Sequence, residues 1–340
     1  MKKILIDAFG GDHSPAEVIA GTLLALNERK DFIAVFVGKE QEIKNALREY
    51  DYDAERIQII NADDVISCEE EPTLAVRRKP NSSICVALKQ LKENPEMDAF
   101  VSAGSTGAVL VGATLKLGRI QGVNRPALAP VLPTLKNGKN VILTDSGATP
   151  DCKPINLCQF ALMGTVYAEC LGVKNPKVAL LSNGTEDEKG NALNHEVFPI
   201  LKNMKGINFV GNIEARDILS GDYDVIVSDG FSGNVALKGM EGAINTLFAE
   251  LKSTIYSSFK GKIAGLLLKK SLKHIKEKLD YNKKGGALFL GVNKTVIKVH
   301  GSSRREAFMN AVIQAVNCSE NNLSEKIKEK LESEQIVFGV

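Results

Sequence analysis

The sequence predicts an α/β protein whose mostly parallel sheet is covered by helices on both faces. Three observations carry this prediction. Short apolar runs alternate with amphipathic stretches along the chain, the pattern of repeated strand–helix units. The turns after five of those runs are rich in glycine and small polar residues. Trp is absent and aromatics make up only 6% of the 340 residues, so Val, Ile, Leu and Ala must build the core, as in strands buried on both faces.

The elements follow in order. Ile4–Asp7 reads as a buried strand, and a helix runs on to about Glu28. Ser14 is placed as its N-cap, Pro15 at its first position, and Glu17 as the closing member of a capping box. Ala34–Val37 is a strand, Glu40–Arg48 a helix and Ile57–Ile60 a short strand. Ala99–Ser102 is a strand and Ser105–Leu117 the helix after it. Ala127–Leu132 and Val141–Thr144 read as two nearby strands. Pro154–Leu171 is a helix, Val178–Leu181 a strand and Ala192–Asn203 a helix. Asn208–Val210 and Val225–Ser228 are strands, followed by a long helix near Asn234–Tyr256. Thr295–Val299 is a strand, Arg304–Val316 a helix and Lys326–Glu334 a charged, solvated helix. The length allows one large domain or two modest ones. With no low-complexity linker and no internal repeat, the chain is read as one catalytic domain, residues 1–340.

Composition excludes several classes. The net charge of +2 is too small to imply a nucleic-acid partner. The six cysteines form no C-x-x-C pair and none has metal-ligand spacing to a histidine. They read as reduced core thiols of a cytoplasmic protein. The apolar run at the N-terminus is too short for a signal sequence, and no run reaches the ~18 residues of a membrane span. Neither G-x-G-x-x-G nor a P-loop occurs, so neither a nicotinamide nor an ATP site is expected. No G-x-S-x-G elbow is found.

In open α/β sheets, ligands bind beyond the carboxyl ends of the strands. Five turns there are candidates: Phe9–His13, Ser102–Gly107, Asp145–Thr149, Ser182–Asn191 and Ser228–Asn234. Together they suggest a site made of exposed backbone N–H groups and short polar side chains, suited to an anion. Helix termini hold charge weakly, about 0.3–1 kcal/mol each, so basic side chains are needed. Lys189 lies in one of the turns, and Arg77-Arg78-Lys79 can supply more charge. His13 and His300 flank glycines at strand ends and are candidate lining residues; His195 and His274 lie in helices and read as structural or solvent-facing.

At these turns the sequence resembles the bacterial acyl-carrier-protein:phosphate acyltransferase family. The resemblance is carried by Ile6–His13, Val76–Lys79, Ser102–Gly107, Arg125–Pro130, Thr185–Asn191, Gly211–Asp217, Asp229–Asn234 and Lys298–Ser303, in order, to about residue 316. It departs from the family at Phe9, where Met is usual, and at Ser105 and Thr149, where Asn is usual. The resemblance implies a Rossmann-like three-layer fold related to phosphate acetyltransferases and the isopropylmalate dehydrogenase type. It implies transfer of a fatty acyl group from acyl carrier protein to inorganic phosphate, without metal or redox cofactor. The acyl phosphate would then feed the glycerol-3-phosphate acyltransferase of phospholipid synthesis. The resemblance makes Lys189 and Asn234 the catalytic positions and a homodimer the expected assembly. Substrate-binding positions are expected at Gly10, Gly11, Asp12, His13, Ser105, Thr106, Asn191, Gly233 and His300.

Residues 250–284 read as a basic amphipathic helical hairpin. Lys252–Lys284 carries about +8, against +2 for the whole chain. Leu268, Leu272, Ile275 and Leu279 form one stripe, and Gly261 is expected to separate the two helices. Such a helix suits a membrane surface, the acidic carrier protein or a dimer partner. The competing functions are a coenzyme A-dependent phosphate acetyl- or butyryltransferase, a decarboxylating dehydrogenase on a related fold, and a non-catalytic membrane scaffold.

Overall fold

The computed structural model describes residues 1–279 and 284–334. It opens with β1 (Lys2–Asp7), α1 (Ala16–Glu28), β2 (Phe32–Gly38), α2 (Glu40–Leu47) and β3 (Ile57–Asn61). Then come α3 (Pro72–Arg78), α4 (Ser83–Glu93), β4 (Met97–Ser102) and α5 (Thr106–Gly112), which widens into a π-helical turn over Ala113–Leu117. Next are β5 (Ala127–Ala129), β6 (Val131–Pro133), β7 (Asn140–Thr144), α6 (Pro154–Cys170), β8 (Lys177–Ser182) and α7 (Ala192–Asn203). The chain continues through β9 (Asn208–Glu214), β10 (Val225–Val227), α8 (Gly230–Tyr256), α9 (Phe259–Leu279), β11 (Ala287–Leu290), β12 (Thr295–Lys298), α10 (Arg305–Glu320) and α11 (Leu323–Ser333).

Within the described residues the strands form two sheets. The larger runs β3-β2-β1-β4-β12-β11-β5 and the smaller β6-β7-β10-β8-β9. The pairings are parallel except around β11, which runs antiparallel to β12 and β5, and between β6 and β7. One apolar core runs continuously beneath both sheets and is built largely from α1, α6 and α10. A second fills the space between the larger sheet and α3, α4 and α5. A third lies between the smaller sheet and the start of α8, where Leu237 packs. The sheets are thus covered on both faces, as expected.

Several elements differ from the sequence reading. Ala127–Leu132 is not one strand: Pro130, which has no N–H to give a ladder, separates β5 in the larger sheet from β6 in the smaller. Helices α3 and α4 were not anticipated. Glu71 caps α3 by accepting from Thr73 and Leu74, and Ser82 caps α4 through Cys85 N–H. Strand β11, too, was not anticipated, because Gly285-Gly286 reads as a breaker. The capping box on α1 does not form. Pro15 is the N-cap, Ser14 Oγ donates to the Gly11 carbonyl, and Glu17 accepts from Arg305 N and Nη2 at 2.7 and 2.8 Å, tying α1 to α10. The break between α8 and α9 falls at Ser257-Ser258, not at Gly261. Gly261 lies in the first turn of α9, where a β-carbon would stand 2.1 Å from the Ile255 carbonyl oxygen, so glycine permits the tight reversal. The cysteines are all free, and three are buried, but Cys68 is on the surface and Cys152 and Cys170 are half-buried. The hairpin positions Asp280–Lys283, and the side chains of His274, Lys276, Glu277 and Leu279, lie outside the described residues.

Candidate active site

The carboxyl ends of β4, β12, β7 and β10 converge on a cleft of about 360 Å³ between the two sheets. The apolar lining is Leu110, Leu128, Pro130, Val131 and Leu237, with Gly285, Gly286 and Ala287. The polar lining is Thr106, Ser146, Asn234, Lys238, Lys298 and His300.

Two buried aspartates shape this edge. Asp7 ends β1; its Oδ2 accepts from Ser102 Oγ at 2.7 Å and its Oδ1 from Phe9 N at 3.2 Å, while Gly104 N donates to the same serine. The turns after β1 and β4 are thereby tied together. Asp145 follows β7 and accepts from four backbone N–H groups, those of Leu128, Gly147, Ala148 and Thr149, at 2.6–3.0 Å. Burial pushes both carboxyls above the usual range. It is opposed at Asp7 by the serine and Phe9 hydrogen bonds and at Asp145 by the four N–H donors.

Asn234 stands in the second turn of α8. The N-cap of that helix is Asp229, which accepts from Ser232 N, so Asn234 is not a cap. Its Nδ2 instead donates to the Ser146 carbonyl at 3.0 Å, leaving one amide hydrogen toward the cleft. Gly233 lets the helix approach this closely: a β-carbon there would lie 1.9 Å from the Asp145 carbonyl oxygen. At the mouth, Lys238 pairs with Glu241 at 2.8 Å. His300 Nδ1 accepts from Ser302 N and lies 2.9 Å from Ser302 Oγ, which leaves Nε2 to carry the proton of the neutral ring. Burial, with Lys238 nearby, lowers its pKa. Lys298, at the end of β12, is buried. Its ammonium meets the carbonyls of Ala103 and Val299, and burial pushes its pKa down to about 8.

Of the residues predicted from sequence, Thr106, Asn234 and His300 line this cleft. Gly10 and Gly11 pack the β1 turn against the β4 turn, and Asp12 N donates to the Gly301 carbonyl. Asp12, His13, Ser105 and Gly233 stand around the cleft rather than in its lining. Ser105 caps α5 and Asn191 caps α7. Lys189 is exposed on the turn between β8 and α7, outside the lining; β8 lies beside β10 in the smaller sheet. Lys79 is engaged by Glu70 and the Val65 carbonyl, so of the basic triplet only Arg77 and Arg78 are exposed. The sequence reading gave no individual role to Lys238, Lys298, Ser146 or the two aspartates, although Asp145 and Ser146 lie in a candidate turn and Asp7 and Lys298 in segments that carry the resemblance. Lys298 was legible in principle, as a lysine ending an otherwise apolar strand. Among the described residues, no group of three or more His, Cys, Asp or Glu could hold a metal ion.

Two mostly parallel sheets meeting over a cleft lined by aliphatic and basic side chains define an α/β enzyme of the phosphotransacetylase fold. A phosphotransacetylase from Streptococcus pyogenes shares it with a TM-score of 0.63 at 17% identity over 94% of each chain. One from Staphylococcus aureus does so with a TM-score of 0.58. A model of the family described as fatty acid synthesis protein matches residues 2–326. The chain is 50% identical to a phosphate acyltransferase of Clostridium novyi, covering 98% of this chain and 100% of that protein. It is 48% identical to one from Clostridium tetani over 97% and 98%, and 46% identical to one from Bacillus cereus over 98% and 99%. The chain belongs to this phosphate acyltransferase family, and it is an acyltransferase.

Proposed function

We propose that the enzyme transfers a fatty acyl group from acyl carrier protein to inorganic phosphate, releasing acyl phosphate for phospholipid synthesis. The observation that carries this reading is the mixed lining of the cleft: its aliphatic side chains suit an acyl chain, and its lysines and amide and hydroxyl donors suit phosphate. An oxygen of hydrogen phosphate attacks the thioester carbonyl, the C–O bond forms, the C–S bond breaks, and the carrier leaves as its thiol, its sulfur taking up the proton that the hydrogen phosphate gives up. Phosphate is a competent nucleophile at neutral pH, so positioning and oxyanion stabilisation do the catalysis. Asn234 offers its remaining amide hydrogen to the thioester oxygen. Lys189 neutralises phosphate charge from the adjacent turn.

The test is acyl phosphate formation from long-chain acyl carrier protein and phosphate, without metal or nucleotide. Product is expected, with loss on Lys189→Ala and a fall of about 10²–10³ in turnover on Asn234→Ala. Activity only on acyl coenzyme A would overturn the choice of donor. Unchanged turnover in either variant would remove that residue's role.

The same proposal places the protein on the cytoplasmic face of a membrane as a peripheral homodimer. It rests on α9, where Phe259, Ile263, Leu266, Leu267 and Leu268 are exposed beside Lys260, Lys262, Lys269 and Lys270. Among the described residues, no helix is long and apolar enough to cross a membrane. Co-sedimentation with anionic vesicles should fall when Leu267 and Leu268 become Glu; unchanged binding by the folded variant would sink the membrane role.

A further inference from the structure

We infer that Lys298 is a phosphate-binding residue inside the cleft, holding inorganic phosphate through its ammonium. The inference rests on the acyl-transfer reading and adds to it a residue that opens one of the segments of the resemblance but was given no role there.

The argument is one of a buried charge without a direct ion pair. Lys298 is only 8% exposed, yet it lines the cleft. Its Nζ contacts two carbonyl oxygens, Ala103 at 3.4 Å and Val299. Among the described residues, no carboxylate forms an ion pair with it. Carbonyl dipoles solvate an ammonium only in part, and a buried charge without a counter-charge is costly. The charges that face it come from several elements. Asp7 from β1, Asp12 from the turn after it and Cys68 from the loop before α3 favour the charged amine. Burial, foremost, and Lys238 from α8 disfavour it. His300 stands two residues on, with its Nε2 unused by the Ser302 contacts. Thr106 and Asn234 line the same space. An anion entering here supplies a direct ion pair, which Asp7 and Asp12 do not, and meets donors on several sides. A neutral or cationic ligand would do neither.

The experiment uses inorganic phosphate as the probe and thermal unfolding as the readout. Phosphate should raise the Tm of the wild-type protein. Lys298→Met keeps the aliphatic stem and removes the charge. It should unfold, without phosphate, at the same temperature or higher, and its half-saturating phosphate concentration should rise about tenfold or more. A lysine that merely tied two carbonyls together would behave in the opposite way, with a lower Tm and an unchanged phosphate effect, and that result overturns the inference. Phosphate affinity of the wild type should weaken as pH rises past about 8, where the free amine loses its proton, while Lys298→Arg holds its affinity to higher pH. If Lys298→Met does not fold, acylation of wild-type lysines mapped by mass spectrometry decides. Phosphate should protect Lys298 and leave exposed Lys89 unchanged, and no protection at Lys298 refutes the assignment. In kinetics, Lys298→Met should raise KM for phosphate and leave that for the acyl donor alone. Phosphate binding through Lys298 without acyl phosphate formation would sink the acyl-transfer reading and leave this assignment standing; acyl phosphate formation with an unaltered phosphate KM would do the reverse.

Discussion

Replacing Asp145 by Asn should destabilise the protein and loosen the cleft together, and the size of the effect follows from its hydrogen bonds. Oδ1 serves Leu128, Gly147 and Ala148, and Oδ2 serves Thr149. The amide keeps one acceptor oxygen. If that oxygen keeps the three donors, the amide nitrogen faces Thr149 N, two donors where the carboxylate accepted at 2.6 Å. A buried N–H left without an acceptor costs about 1–3 kcal/mol, and three bonds weakened from charged to neutral cost about 1 kcal/mol each. Relief from burying an ionised carboxylate, the effect that raises its pKa, offsets part of this. The net expectation is a loss of about 2–4 kcal/mol. Urea unfolding should show it as a lower midpoint with an unchanged slope. Because Asn234 hangs from the Ser146 carbonyl beside this knot, turnover should fall as well. A midpoint shift worth less than about 0.5 kcal/mol, the range of a bland surface change, would refute the reasoning.

Gly233→Ala places a methyl 1.9 Å from the Asp145 carbonyl oxygen. It should destabilise by about 1–3 kcal/mol or more and displace Asn234, and a variant with native Tm and full activity would contradict the close packing. Glu17 is held below its ordinary pKa of 4.5 by its hydrogen bonds to Arg305. A depressed carboxylate contributes stability that is complete above the unfolded value and lost as pH falls through the folded one. The stability gap between wild type and Glu17→Gln should therefore be full at pH 7 and shrink below pH 4.5. A gap that is constant from pH 7 to pH 3 in chemical denaturation would rule the ion pair out as its source.

What the sequence made legible was local. Alternation identified the strands of both sheets to within a few residues, apart from β11, which it missed, and β5 and β6, which it joined, because a buried strand and an amphipathic helix leave different periods. The span Ala192–Asn203 is the clearest case, since Asn191 caps it through its own side chain. The split at Pro130 was visible as a proline but not as a change of sheet, because sheet membership is decided by distant partners: β11 for β5 and β7 for β6. The site divides in the same way. Glycine turns announce a strand-end pocket, and Thr106, Asn234 and His300 could be taken from them. Lys298 and Asp145 each join a local contact to a distant one, Ala103 for the lysine and Leu128 for the aspartate, and it is the burial and the distant partner that no local pattern encodes. Glu17 shows the reverse error: a good capping-box spacing was overridden by a better partner on α10.

The order of strands in the larger sheet has a consequence for synthesis. Strands β4 and β5 follow one another in the chain, yet β12 and β11 lie between them, and these belong to residues 287–298. A nascent chain that has already emitted the whole smaller sheet still has an open edge on β4 and no partner for β5. The N-terminal part therefore cannot complete itself as it emerges; it waits for a segment made after every strand of the other sheet. Such late, long-range closure is slow and leaves unpaired edges prone to aggregation. A chain terminated before Ala287 should be recovered as insoluble or chaperone-bound material, not as a stable half-protein.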